Sequence, residues 1–348
     1  MSHVPTSRRR PVVSALLAAF ALLTAACSNT PEERVRAEQA DRPTVRPEPG
    51  ALPVTLEHRY GSTTIERAPQ RVVTVGYTDQ DALIALGVVP VATTHWLGDH
   101  PGALGPWAQD ALGEAPTPEV LRDRNGIRFE KIADLDPDLI VGLYSAMSAE
   151  DYAKLSRIAP TVAPPRDHAD YGIPWQELTT TVGKAVGKPA EARRLVADVE
   201  DRFARSRREH PEFDGASAVV AAPHDGYFVY GRSDHRSRIL TELGFSLPPD
   251  LDRVVDNEWG ANLSRERADL LDTDVIVWRT GDAGARLRED PLYNDLPVAQ
   301  EKREVLVDET GDHGAAFSHV SVLSLPYLLD WLTPRLSAAV DGDPATIA

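Results

Sequence analysis

The segments Phe129–Gly142 (FEKIADLDPDLIVG) and Arg265–Trp278 (RERADLLDTDVIVW) are two copies of one pattern. Laid over each other without a gap, they coincide at Glu130/Glu266, Leu135/Leu271, Asp136/Asp272, Asp138/Asp274, Ile140/Ile276 and Val141/Val277. Each copy reads as a short helix that passes through an Asp-x-Asp turn into an apolar strand, the kind buried on both faces of a parallel sheet. A single unit of this type has little weight. Two of them, one in each half of the chain, point to two similar α/β lobes. Facing lobes leave a cleft, and such clefts are where small ligands bind.

At 348 residues the chain has room for both lobes. Arg71–Gly76 reads as a buried strand, followed by a helix through Ala82–Leu86 that Gly87 ends, with Thr78 and Asp81 spaced as a capping box. Val88–Ala92 restarts extended structure, so the N-terminal lobe carries a βαβ pattern and a mostly parallel sheet. Trp175–Val186 and Pro189–His210 form the longest helical stretch, in which Leu195, Val196, Val199 and Phe203 make an apolar stripe at helical spacing. Lying between the halves, this stretch is read as the connector; a rigid helix there restricts hinge opening. The C-terminal lobe restarts with strands at Ser217–Ala222 and Tyr227–Tyr230, then a helix at Ser237–Leu243. Strands at Asp274–Thr280 and Glu304–Asp308 and a last helix from Ser321 to Ala339 complete it. The expected organisation is a lobe over residues 53–173, connecting helices over 174–210 and a second lobe over 211–348.

The N-terminus carries a second signal. Arg8–Arg10 precede an uncharged apolar run, Pro11–Ala26, which is shorter than the ~20 residues of a membrane-spanning helix. Small residues lead directly into Cys27, the only cysteine in the chain. The arrangement resembles a bacterial lipobox, in which residues 1–26 are removed as a signal peptide and the Cys27 thiol is lipidated. Thr24 holds a place where such sequences more usually carry Leu. One cysteine allows neither an intramolecular disulfide nor a Cys-rich zinc site. Residues 27–52, rich in Pro, Glu and Arg, read as a disordered tether. Anchor and tether together hold a globular body at the outer face of the cytoplasmic membrane. The net charge of −16 argues against nucleic acid as a partner, which requires cationic surface.

Enzyme signatures fail when tested. Gly183–Pro189 (GKAVGKP) has the wrong glycine spacing for a phosphate loop and Pro189 where Ser or Thr is required. The turn Val75–Asp79 lacks the further glycines of a dinucleotide fingerprint. Neither G-x-S-x-G nor H-E-x-x-H occurs.

RVVTVGYTDQDALIALGVVPVATTHW (Arg71–Trp96), EKIADLDPDLIVGLYS (Glu130–Ser145), YAKLSRIAPTVA (Tyr152–Ala163), IPWQELTTTVGKAVGKPAEA (Ile173–Ala192) and SHVSVLSLPYLLDWLTPRL (Ser318–Leu336) run over nearly all of the chain after the tether. As an ensemble they resemble the ferric-siderophore solute-binding lipoproteins of actinobacterial type, the capture components of iron-uptake ABC transporters. The resemblance implies two α/β lobes joined by one long backbone helix, a shallow cleft and little lobe motion. It implies binding without chemistry: iron arrives chelated, so no cofactor and no metal-ligating side chain is expected. It also implies that Glu130 and Glu266 pair with arginines of the two permease subunits, an ATPase lying behind them. A roughly two-fold receptor docking on a two-fold permease through equivalent charges is physically coherent.

Aromatic and basic residues at strand ends and in loops are the candidates for the cleft: Trp96, Tyr144, Tyr171, Arg232, Trp259, Trp278, Arg279 and Phe317. Flat rings with one or two Arg donors suit a bulky ferric hydroxamate, apolar outside and partly negative at its oxygens. Trp107, Trp175 and Trp331 are assigned to core packing. The overall acidity leans towards hydroxamate rather than strongly anionic catecholate iron. Cobalamin, haem or a divalent metal are the alternative ligands, although no pair among the 10 histidines has tight ligand spacing.

Overall fold

The structure, a computed structural model, describes Met1, His3 and residues 43–122, 126–255, 259–281 and 284–343. The expected Cys27 anchor, the apolar run of the expected signal peptide and the expected tether up to Arg42 fall outside the described residues. Pro43–Ala348 forms one compact unit.

Five strands build the N-terminal sheet: β3 (Val72–Thr74), β4 (Ala92–Thr94), β5 (Glu119–Leu121), β6 (Leu139–Val141) and β7 (Thr161–Val162). They lie in the order β5-β4-β3-β6-β7, all parallel, beside an antiparallel hairpin of β1 (Val54–His58) and β2 (Gly61–Ile65). Every residue of β3, β4 and β6 is buried, as expected of strands covered on both faces. β4 begins at Ala92 rather than Val88, because Pro90 has no N–H to give the ladder.

The C-terminal sheet comprises β8 (Ala218–His224), β9 (Gly226–Tyr230), β10 (Gly260–Leu263), β11 (Val275–Arg279) and β12 (Glu304–Val307), in the order β10-β9-β8-β11-β12. The order matches that of the first sheet, but β9 runs antiparallel to both neighbours. This sheet is therefore mixed, where a mostly parallel one is expected.

Both copies of the repeat do the same structural job. The Asp138 carboxylate accepts the backbone N–H groups of Gln70 and Arg71, each at 2.8 Å, just ahead of β3. Asp274 accepts the N–H and the hydroxyl of Ser217, each at 2.7 Å, just ahead of β8. In each lobe the last Asp of the turn ties the incoming strand to its parallel neighbour through charge-assisted hydrogen bonds.

The connecting helix runs from Pro189 to Glu209, about 30 Å at 1.5 Å per residue. Val196, Val199 and Phe203 of the expected stripe are buried, and Leu195 is half-buried. A second helix, Trp175–Ala185, approaches so closely that a Cβ on Gly183 would stand 2.3 Å from the Ala192 Cβ. Pro43–Leu52, placed by the sequence in the tether, packs on the body instead. Val45 is buried, and the Glu48 carboxylate accepts the N–H groups of Ala190 and Glu191, each at 2.9 Å, at the start of the connecting helix. Those donors have no intrahelical partner, so a carboxylate there completes the helix end.

One apolar core runs from the N-terminal lobe (Ile84, Leu104, Trp107) through the connector (Val196, Phe203) into the C-terminal lobe (Leu325, Leu329, Leu336). Asp81 adds a polar tie within it, accepting from Trp107 Nε1 at 2.7 Å and from the Ser321 hydroxyl across the lobes. Its carboxylate is thus no part of a capping box, and Thr78 makes no side-chain cap bond.

Candidate functional site

A cavity of about 340 Å³ opens between the lobes, lined by Tyr77, Trp96, Tyr144, Tyr171, His235, Arg236 and Trp259. The N-terminal wall is assembled at the carboxyl ends of β3, β4 and β6, where clefts form in α/β sheets. The organiser is Asp79. Fully buried, it accepts the N–H groups of Leu143 (2.8 Å) and Tyr144 (3.3 Å), while the Tyr77 N–H donates to the Tyr144 carbonyl at 3.1 Å. Gly76 is required beneath it, since a Cβ there would lie 1.7 Å from the Asp79 Oδ2. Burial pushes the Asp79 carboxyl up to about 6, against the pull of the two backbone donors. These bonds tie the loops carrying Tyr77 and Tyr144 to each other.

The rings themselves form a ladder. Tyr77 stacks on Trp96 (5.4 Å between centroids, 14° between planes) and on Tyr171 (5.7 Å, 7°). Tyr144 tilts against Trp96 at 5.9 Å and against Tyr171 at 5.4 Å. Tyr171 is held at φ +59, a left-handed backbone that non-glycine residues adopt at a cost, and this turns its ring into the ladder.

The C-terminal wall is polar. His235 meets the Tyr144 hydroxyl at 3.2 Å through Nδ1, while its Nε2 is shut off from solvent without a hydrogen-bond partner. Burial drives the imidazole down to about 3, so it is neutral at physiological pH, and burial also raises the Tyr144 phenol. Arg236 is clamped by Asp234 (Nε to Oδ1 2.8 Å, Nη2 to Oδ2 2.7 Å) and lies 4.1 Å over the Tyr230 ring. Next to the cleft, a small space of about 20 Å³ is lined by Tyr144, Trp175, His235, Glu242 and His319, among others. It has room for roughly one water. Among the described residues no three His, Cys, Asp or Glu side chains converge as a metal-binding set.

The profile of the periplasmic binding protein family matches residues 72–309, which spans both lobes. The chain belongs to that family. A periplasmic solute binding protein of Mycobacterium smegmatis shares 36% identity and superposes with a TM-score of 0.74, covering 82% of this chain and 98% of that one. The Fe(3+) dicitrate-binding periplasmic protein FecB of Escherichia coli is 26% identical over 267 residues, 74% of this chain and 83% of its own. The iron(3+)-hydroxamate-binding protein FhuD of Bacillus subtilis is 24% identical over 333 residues, 91% and 96% of the two chains.

Within this periplasmic binding protein, Trp96, Tyr144, Tyr171 and Trp259 come together around the cavity. Arg279 stands behind them, bonded to the Tyr230 hydroxyl and to Glu309. Arg232 is exposed and paired with Asp252. Trp278 must be reassigned from cleft to core. It has no exposed surface, and its Nε1 donates to the Tyr293 hydroxyl at 2.8 Å. The reason is position: it lies inside β11, aligned in the repeat with Gly142 rather than with Tyr144. Phe317, expected in or near a loop, is likewise core, fully buried in the helix Asp312–His319. Trp107 and Trp175 are buried as assigned, while Trp331 is half-buried between His313 and Arg335.

Tyr77, His235 and Arg236 escape the sequence reading. Tyr77 had a usable signal, as it follows the glycine at the carboxyl end of β3. His235 and Arg236 open a helix, and only the tertiary fold brings that helix end to the cleft. Glu130 and Glu266 are exposed in the first turns of Phe129–Asp134 and the 3-10 helix Arg265–Leu271, and neither forms an ion pair among the described residues. Their neighbours do: Lys131 pairs with Glu119, Arg265 with Asp290 and Arg267 with Asp269.

Proposed function

We propose that this chain is the extracytoplasmic capture subunit of an ABC importer whose cargo is iron(III) already wrapped in a siderophore of hydroxamate type. The observation that carries the reading is the cleft itself: five aromatic side chains, Tyr77, Trp96, Tyr144, Tyr171 and Trp259, around a cavity of about 340 Å³. Such a surface grips a bulky ligand with an apolar exterior. Among the described residues no three His, Cys, Asp or Glu side chains converge as they would to ligate a bare ion. The relatives named for ferric dicitrate and for iron(3+)-hydroxamate support the same cargo class. On this reading the protein is a receptor rather than an enzyme, held at the outer face of the cytoplasmic membrane by lipid on Cys27.

Glu130 and Glu266 are the docking charges for the permease pair. Their equivalent places ahead of β6 and β11, and their freedom from ion pairs among the described residues, leave both carboxylates available to a partner's arginines. Glu266→Lys should abolish most iron uptake in cells while leaving ligand affinity unchanged; a loss of affinity would remove the docking role.

The test of the cargo is tryptophan-fluorescence titration of the full-length chain with ferrichrome, ferric enterobactin, haem, cobalamin and divalent metal ions. Saturable quenching by a ferric chelate is expected, because Trp96 and Trp259 line the cleft. Response only to haem, cobalamin or a bare ion would overturn the siderophore reading.

A further inference from the structure

We infer that Asp234 sets the charge class of the ligand: by neutralising Arg236 it adapts the cleft to uncharged or weakly charged ferric chelates and against strongly anionic ones. The inference rests on the siderophore reading above and adds which chelates are admitted, and through which residue.

Arg236 is the one cation among the described residues lining the cleft. Its guanidinium is bound in bidentate fashion by Asp234, whose side chain is 1% exposed and so cannot swing out to water. Asp234 is fixed from a second direction as well. It is the N-cap of the helix His235–Leu243 and accepts the Arg236 backbone N–H at 2.9 Å. Burial alone would raise its carboxyl, yet the neighbouring His235 and then the hydrogen bonds and charge of Arg236 hold it below the usual carboxylate range.

The next cations out do not restore a positive field. Arg279, behind Tyr230, is paired with Glu309 at 3.0 Å. Arg238 turns to the Gly172 carbonyl and lines the small neighbouring space together with Glu242. An anionic chelate entering this cleft sheds hydration and meets no uncompensated positive charge, which selects against it. An uncharged chelate sheds little and gains the aromatic surface. A guanidinium has five N–H donors, and the Asp234 fork takes two of them. The remainder can meet a ligand oxygen without adding net charge.

Asp234→Asn and Asp234→Ser each remove the charge while keeping an acceptor suited to an N-cap. The experiment measures affinities of the full-length protein for ferrichrome, which is uncharged, and for ferric enterobactin and ferric dicitrate, which are anionic. The wild type should favour ferrichrome, and that ranking is a test that needs no variant. In both substitutions the ratio of anionic to uncharged affinity should rise by about tenfold or more, with cooperative melting retained. A wild type that binds the anionic chelates as tightly as ferrichrome would overturn the inference and leave the receptor role standing. An unchanged ratio, or a parallel fall in all three affinities, would reduce Asp234 to a structural cap. Failure of the wild type to bind any chelate would remove the siderophore reading, and the inference with it.

Discussion

The two walls of the cleft are built from sheets of the same strand order, yet they differ in chemistry. In the N-terminal lobe β3 and β4 are parallel, so the helix Asp79–Ala85 must cross between them, and the loops after β3, β4 and β6 gather at one end. That lobe supplies Tyr77, Trp96, Tyr144 and Tyr171. In the C-terminal lobe a tight hairpin joins β8 to β9 and replaces the crossover. It brings His235 and Arg236, at a helix start, and Trp259, just before β10, to the cleft. One wall is aromatic and suited to grip; the other is polar and charge-balanced and, on the inference above, selects. A repeated sequence pattern can thus preserve strand order while the connections decide what each lobe shows its ligand.

The largest expected effect separates a tryptophan of the C-terminal core from those of the cleft. Trp278→Ala should cost about 4 kcal/mol of unfolding free energy, as a fully buried ring is lost and Tyr293 loses a donor. Protein that remains folded should bind with wild-type affinity; weakened binding in that folded fraction would return Trp278 to the cleft.

Next come two buried ionisable groups, one on each wall, with opposite pH signatures. The Asp79 carboxyl is raised from 3.8 to about 6, so its contribution to stability is complete below about pH 4 and is lost as pH rises through 6. The His235 imidazole is lowered from 6.5 to about 3, so its contribution is present above pH 6.5 and is lost as pH falls from there towards 3. The two windows overlap, so urea unfolding should show Asp79→Asn removing a loss of stability with rising pH, roughly 3 kcal/mol, and His235→Gln a loss with falling pH, roughly 5 kcal/mol. Slopes of the same sign would show that the two walls do not differ in this respect.

Smaller effects test the division of labour directly. Trp96→Ala should weaken ligand binding by about 2 kcal/mol, roughly thirtyfold, because its ring stacks in the ladder. Trp259→Ala, on the polar wall, should cost about 1 kcal/mol. Equal losses in a fluorescence or calorimetric titration would mean that both walls grip alike.

Much of the architecture was legible from residues alone. The repeat, the buried strands and the Pro189–Glu209 helix declare themselves through local periodicity, which backbone geometry converts into one structure with little reference to the rest of the chain. Four cleft aromatics were legible too; Trp96 and Tyr144 follow parallel strands, which deliver their following loops to one place. What tertiary structure decided is which way each ring and charge faces. Trp278 and Phe317 look like cleft residues by type, but strand register and helix phase turn them inward. Tyr77 and Tyr144 gain their positions from Asp79, more than 60 residues from the backbone groups it holds. Arg236 is paired with a neighbour two positions away, and only the fold reveals that it lines the cleft. Periodicity is a property of short windows of sequence. A cleft is a property of contacts between distant windows, and side-chain orientation across it is settled only when those contacts form.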